Sequence, residues 1–174
     1  MVHVEGCSEI VVTDHPERQA QEGWSGDSAP LSEAEYQEVF AKVPRLTVEV
    51  VVQGPSGVLL TKRTSGPCAG LWHLPGGTVR FGEPVTDAIR RVASTEMGLE
   101  IQAGPFLGYI EYPSHYLNGL DSPVGLAFLC HVAGEQHTRE SVEHGWFREA
   151  PQPMHAEQIE FLTERRLLSS SRPS

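Results

Sequence analysis

The segment Pro75–Leu99, PGGTVRFGEPVTDAIRRVASTEMGL, contains the feature that most constrains the fold of this chain. Pro84 suits the first turn of a helix, where its missing N–H costs nothing, and Gly98 suits the position after the last turn, where φ is positive. Between them apolar residues recur with the spacing of one helical stripe, namely Val85, Ala88, Ile89, Val92 and Ala93. The sequence therefore predicts an amphipathic helix that packs against a core.

Glu96 stands where the next apolar residue of this stripe is expected. It follows Val85 by eleven residues, so at about 100° per residue its side chain falls about 20° from the centre of the stripe. A carboxylate buried there without a partner costs several kcal/mol. Two interpretations stay open: the helix frays and Glu96 reaches solvent, or Glu96 binds a cation. The pair Gly76 and Gly77 favours the second, because backbone without side chains can approach an ion closely.

The rest of the chain predicts a layered α/β domain, because strand patterns and helical patterns are interspersed. Polar residues with Gly, Ser and Pro fill positions 1–30, which we expect to be a flexible extension before a domain at 31–170 and a disordered tail at 171–174. Strand patterns occupy 46–53, 58–63, 105–112, 123–132 and 144–150. Helical patterns occupy 31–43, which opens with a capping box at Ser32 and Glu35, and 155–168. Positions 113–121 are expected to form a loop.

Composition excludes some partners. The formal net charge of −10 in 174 residues argues against duplex nucleic acid, and an anionic small substrate would need local cations or a metal ion. No window resembles a membrane span or a signal peptide. Cys7, Cys68 and Cys130 lie far apart without the spacing of a zinc site, so we expect a reducing cytoplasm. No base pattern surrounds Cys68, which is therefore expected to be unreactive. A homodimer is left open.

The segment resembles the Nudix box, G-x5-E-x7-R-E-U-x-E-E-x-G-U, in which U is aliphatic. The matching residues are Gly77, Glu83, Arg91, Glu96, Gly98 and Leu99. The resemblance implies an α/β/α sandwich around a mixed sheet, with residues 76–99 as a loop–helix–loop. It also implies a divalent-metal-dependent hydrolase of a nucleoside diphosphate linked to another moiety. Arg90 or Arg91 is expected to pair with Glu83 and hold the loop against the helix.

Two glutamates of the box are replaced, by Val92 and Thr95. The GDP-mannose mannosyl hydrolase branch of the family lacks the same two, and this chain is similar to that branch also at Lys62–Thr64, Gly70–Trp72 and Pro75–Gly77. The resemblance implies one Mg²⁺ per site, with Mn²⁺ as an alternative. In that branch, water attacks the anomeric carbon of the sugar and the nucleoside diphosphate leaves.

The site residues carried over from this branch are expectations. The metal ligands would be the carbonyl of Gly76 and the side chains of Glu96 and Glu140. The substrate would contact Arg63, beside the diphosphate, with Glu49 and Trp72. Glu49 could instead face solvent from a half-exposed sheet, and Trp72 could be core or pocket wall.

The general base of the branch is missing, because its histidine corresponds to Ser141. His137 and His144 flank this position as candidate catalytic residues, although both could be surface histidines. The branch's arginine after the glycine pair is Thr78, and its tyrosine is missing at Ser122 and Pro123, so the exact substrate cannot be carried over.

A nucleotide sugar is the leading substrate class, and two rivals stay open. One is a catalytically silent Nudix domain that binds a nucleotide or sugar nucleotide. The other is a conventional pyrophosphohydrolase in which Glu83 or Glu143 supplies a missing carboxylate.

Overall fold

The computed structural model describes residues 31–64, 68–134 and 143–169. Several predictions fall outside this part of the chain. They are the flexible extension 1–30, the disordered tail 171–174, and the site residues His137 and Glu140 with Ser141 beside them. Within it, no helix has the length and apolar character that crossing a membrane requires.

A mixed seven-stranded sheet forms the centre of the fold. Its central strand β1 (Arg45–Gly54) runs parallel to β6 (Pro123–Val132) and forms a hairpin with β2 (Gly57–Lys62). The remaining strands are β3 (Trp72–His73), β4 (Gly76–Thr78), β5 (Ile101–Glu111) and β7 (His144–Phe147). The order is β3-β2-β1-β6-β5, with β4 paired to β1 and β7 paired to β2. The predicted mixed sheet is confirmed.

Among the described residues, four helices accompany the sheet: α1 (Glu33–Phe40), α2 (Val85–Val92), α3 (Pro113–Leu117) and α4 (Ala156–Glu164). The capping box that opens α1 is confirmed, since Ser32 Oγ accepts from the backbone N–H of Glu35 while the Glu35 carboxylate accepts from that of Ser32. The expected loop at 113–121 is wrong in its first half. Pro113 occupies the first turn of α3, where a missing N–H is tolerated, and positive φ at Gly119 follows the helix end.

Two apolar clusters cover the two faces of the sheet. Alternation along β1 sends Val48, Val50 and Val52 to the face covered by α2 and sends Val51 to the opposite face with Phe161 of α4. Thr47 and Glu49 share the second face with Val51. A polar pair is therefore buried in the middle of the sheet.

The helix of the opening segment does not fray before Glu96. It continues from α2 into a π-helical turn, Ala93–Met97, in which the N–H of Gly98 bonds to the carbonyl of Ala93, five residues earlier. This wider turn brings Met97, which is 1% exposed, into the core and leaves Glu96 beside it at the edge of the apolar stripe. Gly98 ends the segment with φ of 71°, as its position predicts.

Arg91 fastens the loop before α2 to the helix. Its Nε and one terminal nitrogen donate to the two oxygens of Glu83 at 2.6 and 2.8 Å, and the same terminal nitrogen donates to the carbonyl of Thr78 at 2.9 Å. The expected pairing of Glu83 with one of the two arginines is confirmed. Arg90 instead pairs with Asp87 on the exposed side of α2 at 2.7 Å.

We expect Arg91→Met to lower the free energy of unfolding by about 1–3 kcal/mol, because it leaves a partly buried carboxylate without its forked partner. The neighbouring Arg90→Met removes an exposed pair and should cost about 0.5 kcal/mol or less. Urea unfolding of the two variants beside the unmodified chain measures both values. Equal losses would show that the Glu83 pair does not hold this loop.

Candidate active site

Glu49 is a buried carboxylate in the central strand. Only 5% of the residue is exposed, so the interpretation that it faces solvent is wrong. It fits because Gly76 stands opposite it on β4 and Gly125 lies diagonally from it on β6. A side chain at Gly76 would come within 2.6 Å of Glu49 Oε2, and one at Gly125 within 2.6 Å of Oε1. The two glycines therefore form a slot for this carboxylate.

Three side chains surround the Glu49 carboxylate with hydrogen bonds. Its Oε1 accepts from the Tyr112 hydroxyl at 2.9 Å and from the Thr47 hydroxyl at 3.2 Å, and its Oε2 accepts from the Gln158 amide at 3.4 Å. Gln158 is itself held, because its Oε1 accepts from the backbone N–H of Leu74 at 2.9 Å. Burial nevertheless raises the pKa of Glu49 from 4.5 to about 8, against these hydrogen bonds.

Glu96 approaches the same glycine from the helix. Its Oε2 accepts from the backbone N–H of Gly76 at 3.3 Å. Burial raises its pKa from 4.5 to about 7, while the Gly76 hydrogen bond and the charges of Arg63 and Arg91 act in the opposite direction. Glu49 and Glu96 also repel each other, which raises the pKa of Glu49 further. Gly76 thus stands in contact with both carboxylates.

A pocket opens above Glu49 and Gly76, and Glu96 contacts its wall at Gly76 without itself lining the pocket. Its wall includes Glu49, Gly76, Arg63 from the end of β2, His73 from β3 and His155 at the start of α4. His73 is held neutral, because burial lowers its pKa to about 4. Burial likewise lowers the pKa of His155. Arg63, whose side chain is exposed, and Arg45 both line this wall and supply positive charge to it.

The two replaced box positions lie apart from the carboxylates. Val92 is 2% exposed and packs in the core, where a side chain on Gly77 would come within 2.9 Å of its Cγ2. Thr95 is exposed on the helix surface. Neither position adds a carboxylate to the site. Gly77 in turn is needed because only a residue without a side chain allows β4 and α2 to pack this closely.

The other predicted site residues take different places. The Trp72 ring packs edge-on against Phe147 with 4.7 Å between centroids and lies under the ammonium of Lys62. His144 starts β7 opposite Thr61. In the part of the chain that the structure describes, neither Trp72 nor His144 belongs to the pocket wall.

The two glutamates of the pyrophosphohydrolase rival are engaged elsewhere. Glu83 binds Arg91, and Glu143 binds Lys62 at 2.9 Å. Of the described residues outside the box, Glu49 is the one that brings a second carboxylate to Gly76.

Sequence reasoning missed Gln158 and Tyr112 as partners of Glu49. Gln158 is 2% exposed and shares a face of α4 with the buried Phe161 and Leu162. A polar residue on an apolar helical face is the same pattern that singled out Glu96, so the sequence contained this signal. Tyr112 lies 63 residues from Glu49, and no local pattern connects the two.

Cys68 has neighbours that its sequence surroundings do not reveal. Its Sγ lies 3.9 Å from Nε2 of His115, whose Nδ1 lies 2.9 Å from Oδ1 of Asp121. Asp121 also accepts from the guanidinium of Arg45. The expectation that no base lies beside Cys68 is therefore wrong, because His115 is 47 residues away in the chain but adjacent in the fold.

The carboxylates fit the divalent cation that the fold family implies. Glu49 and Glu96 offer hard oxygen donors, which suit Mg²⁺ or Mn²⁺, and burial makes their negative charge costly without a cation. The Gly76 contact that the structure describes is through its N–H, and Glu140 lies outside the described residues.

Comparison with known proteins gives consistent matches. The low-salt glycan biosynthesis protein Agl8 of Haloferax volcanii is 37% identical over 99 residues, covering 56% of this chain and 64% of that protein. An ADP-ribose pyrophosphatase of Methanocaldococcus jannaschii is 31% identical over 91 residues, covering 52% of this chain and 53% of that protein. The matches thus span between half and two thirds of these curated relatives.

Solved structures agree on the fold. The crystal structure of a MutT NUDIX hydrolase from Burkholderia pseudomallei superposes with a TM-score of 0.59 and 29% identity, covering 69% of this chain and 97% of that one. The family model of the NUDIX domain matches residues 43–165, which include the sheet, the π-helical turn and both carboxylates. The chain therefore belongs to the NUDIX domain family.

Proposed function

We propose that this protein is a divalent-cation-dependent hydrolase of a nucleoside diphosphate linked to another moiety, with nucleotide sugars as the substrate class. The proposal rests on two carboxylates, those of Glu49 and Glu96, which both approach Gly76. Burial raises the pKa of each. Structural pairs elsewhere in the chain, such as Glu83 with Arg91, have the pKa of the carboxylate lowered instead. Glu49 lines the pocket and Glu96 contacts its wall at Gly76, and raised carboxylate pKa values at such a place are typical of functional groups.

Different residues of the site would bind the cation and the diphosphate. Glu49 and Glu96, with Glu140 as a further ligand, would hold one Mg²⁺ or Mn²⁺. That cation would neutralise the negative charge of the leaving nucleoside diphosphate. Arg63 offers a forked donor set that matches a diphosphate oxygen pair. Tyr112 and Gln158 keep the Glu49 carboxylate in one orientation through hydrogen bonds of 2.9 and 3.4 Å.

Two parts of the proposal, the nucleotide-sugar class and attack at the anomeric carbon, follow from the loss of two carboxylates from the Nudix box. Val92 and Thr95 bring no ligand to the site, and a single cation stabilises a leaving diphosphate better than it activates water at phosphorus. Water then bonds to the anomeric carbon while the bond from that carbon to the diphosphate oxygen breaks. The name of the Haloferax relative, a glycan biosynthesis protein, also favours a sugar-linked substrate. The general base that takes the proton of this water stays a prediction at His137 or His144, of which His144 lies outside the described pocket wall.

A substrate screen tests this function. Nucleoside diphosphate sugars, ADP-ribose and nucleoside triphosphates are each incubated with the full chain, with and without Mg²⁺. Release of free sugar is expected, and hydrolysis in ¹⁸O water should place the label in that sugar. Label in phosphate would instead support a pyrophosphohydrolase. Nucleotide binding without turnover of any compound would support the silent binding domain.

Arg63→Lys is expected to lower kcat/KM for the substrate found in this screen by about tenfold, because a lysine replaces a forked contact with a point charge. Metal binding should be unchanged. Arg148→Lys is the matched control, since Arg148 is exposed and donates to the carbonyl of Pro55, away from the pocket. Equal activity of Arg63→Lys and the unmodified chain would remove Arg63 from the site.

A further inference from the structure

Three metal-binding side chains from three separate elements meet beside the pocket. Cys68 follows β2, His115 lies in α3 and His155 precedes α4, and one ligand atom of each lies within 4.8 Å of the other two. From these contacts we infer that the chain binds a Zn²⁺ ion through Cys68, His115 and His155. This site uses none of the carboxylates assigned to the Mg²⁺ or Mn²⁺ ion.

The distances suit a tetrahedral zinc ion. Zinc–nitrogen bonds of about 2.0–2.1 Å and zinc–sulfur bonds of about 2.3 Å place neighbouring ligand atoms about 3.3–3.6 Å apart. The Sγ of Cys68 and the Nε2 of His115 already lie 3.9 Å apart. Since the three ligand atoms lie within 4.8 Å of one another, closing the site needs shifts of about 1.5 Å or less between any two of them.

Asp121 orients His115 as a ligand. The Nδ1–H of His115 donates to Oδ1 of Asp121 at 2.9 Å, which leaves the lone pair of Nε2 directed to the Cys68 side. Metal-binding histidines usually donate their other ring nitrogen to a carboxylate in this way. Arg45 holds Asp121 from the far side, and Arg45 itself donates to the Thr78 hydroxyl at 3.0 Å. The orienting carboxylate is thus fixed before any ion arrives.

His155 completes the set. Its ring lies 5.5 Å from that of His115, centroid to centroid, and a ring nitrogen lies within 4.8 Å of the ligand atoms of Cys68 and His115. One sulfur and two imidazole ligands select zinc over Mg²⁺, which prefers oxygen. The chain would therefore hold a hard cation at Glu49 and Glu96 and a softer cation at the three ligands beside them. Since His115 and His155 both line the pocket, the fourth zinc position is open to water or to a substrate oxygen.

Cobalt substitution of the full chain tests this site. After removal of metals with a chelator, titration with Co²⁺ should give one equivalent of a thiolate-to-cobalt absorption band in the near ultraviolet, and Zn²⁺ should displace it. Cys68→Ser and His115→Ala should each abolish the band. Asp121→Asn should weaken zinc binding by about 10–100-fold. Thermal unfolding of each variant without metal checks that it is folded.

Matched controls separate this site from others in the chain. Cys130→Ala removes a thiol buried in the core, His131→Asn removes an exposed imidazole of β6, and Cys7→Ser removes the remaining cysteine. All three, and Glu96→Gln, should retain the band. Absence of a thiolate band, or a band that persists in folded Cys68→Ser, would overturn the assignment. Loss of hydrolysis alone does not affect this readout, so the zinc site and the hydrolase function can fail separately.

Discussion

Glu96→Gln is expected to reduce metal-dependent hydrolysis by on the order of 100-fold or more. Glutamine keeps the shape of the side chain and can still accept the Gly76 N–H bond of 3.3 Å, but it lacks the negative charge that a cation requires. The loss should therefore fall on cation binding and turnover and not on folding. Steady-state kinetics over a range of Mg²⁺ concentrations, with calorimetry of Mg²⁺ binding in the presence of nucleotide, measures both.

Although Glu96→Gln should lose hydrolysis, its free energy of unfolding without metal should not fall. Burial raises the pKa of Glu96 to about 7, so near neutral pH and without metal the carboxylate opposes folding. Without metal, Glu96→Gln should therefore be as stable as the unmodified chain or more stable. Glu160→Gln, at an exposed position of α4, is the control for removing one negative charge. A variant that retains full Mg²⁺-dependent turnover would rule out Glu96 as a ligand of the catalytic cation.

The sheet and the main helices could be predicted because their patterns are local. Apolar runs bounded by turns located β1, β2 and β6, and the capping box located α1. The π-helical turn could not be predicted, because a wider turn leaves the apolar spacing of the preceding helix unchanged and depends on the packing of Met97. Helix α3 was missed because its five residues carry no apolar stripe and lie between loop-forming residues.

Site residues could be predicted where a single residue departs from a local pattern. They could not be predicted where residues far apart in the sequence come together in the fold. Glu96 was visible as a carboxylate on an apolar stripe, and Glu49 as an acidic residue within a strand of valines. The zinc ligands Cys68, His115 and His155 are unremarkable in the sequence, because pairing of β2 with β3 and the packing of α3 and α4 bring them together. Their spacing of 47 and 40 residues excludes any short metal-binding motif.

Without metal, the raised pKa values of Glu49 and Glu96 are expected to make the protein lose stability as the pH rises from about 5 to 8, and Glu49→Gln is expected to remove the Glu49 share of this loss, which extends to the higher pH. The folded state raises the pKa of Glu49 from 4.5 to about 8, so it keeps a proton that the unfolded chain releases. Each pH step above about 4.5 therefore favours unfolding, until the folded carboxyl also ionises near pH 8. The full difference corresponds to roughly 5 kcal/mol at most.

Glutamine at position 49 carries no titrating group but can still accept the hydrogen bond from Tyr112, so the bonds from Tyr112 to residue 49 and from Gln158 to Tyr112 are retained, while the 3.4 Å bond from Gln158 to residue 49 is lost. Urea unfolding at several pH values, in the presence of chelator, measures the slope for the variant and the unmodified chain. Glu111→Gln, at an exposed strand end, should leave the slope unchanged. Saturating Mg²⁺ with nucleotide should flatten it in the unmodified chain, because a bound cation favours the ionised carboxylate. If Glu49→Gln keeps the full pH dependence, Glu49 is not the group that opposes folding, and the case for a cation at this carboxylate is lost.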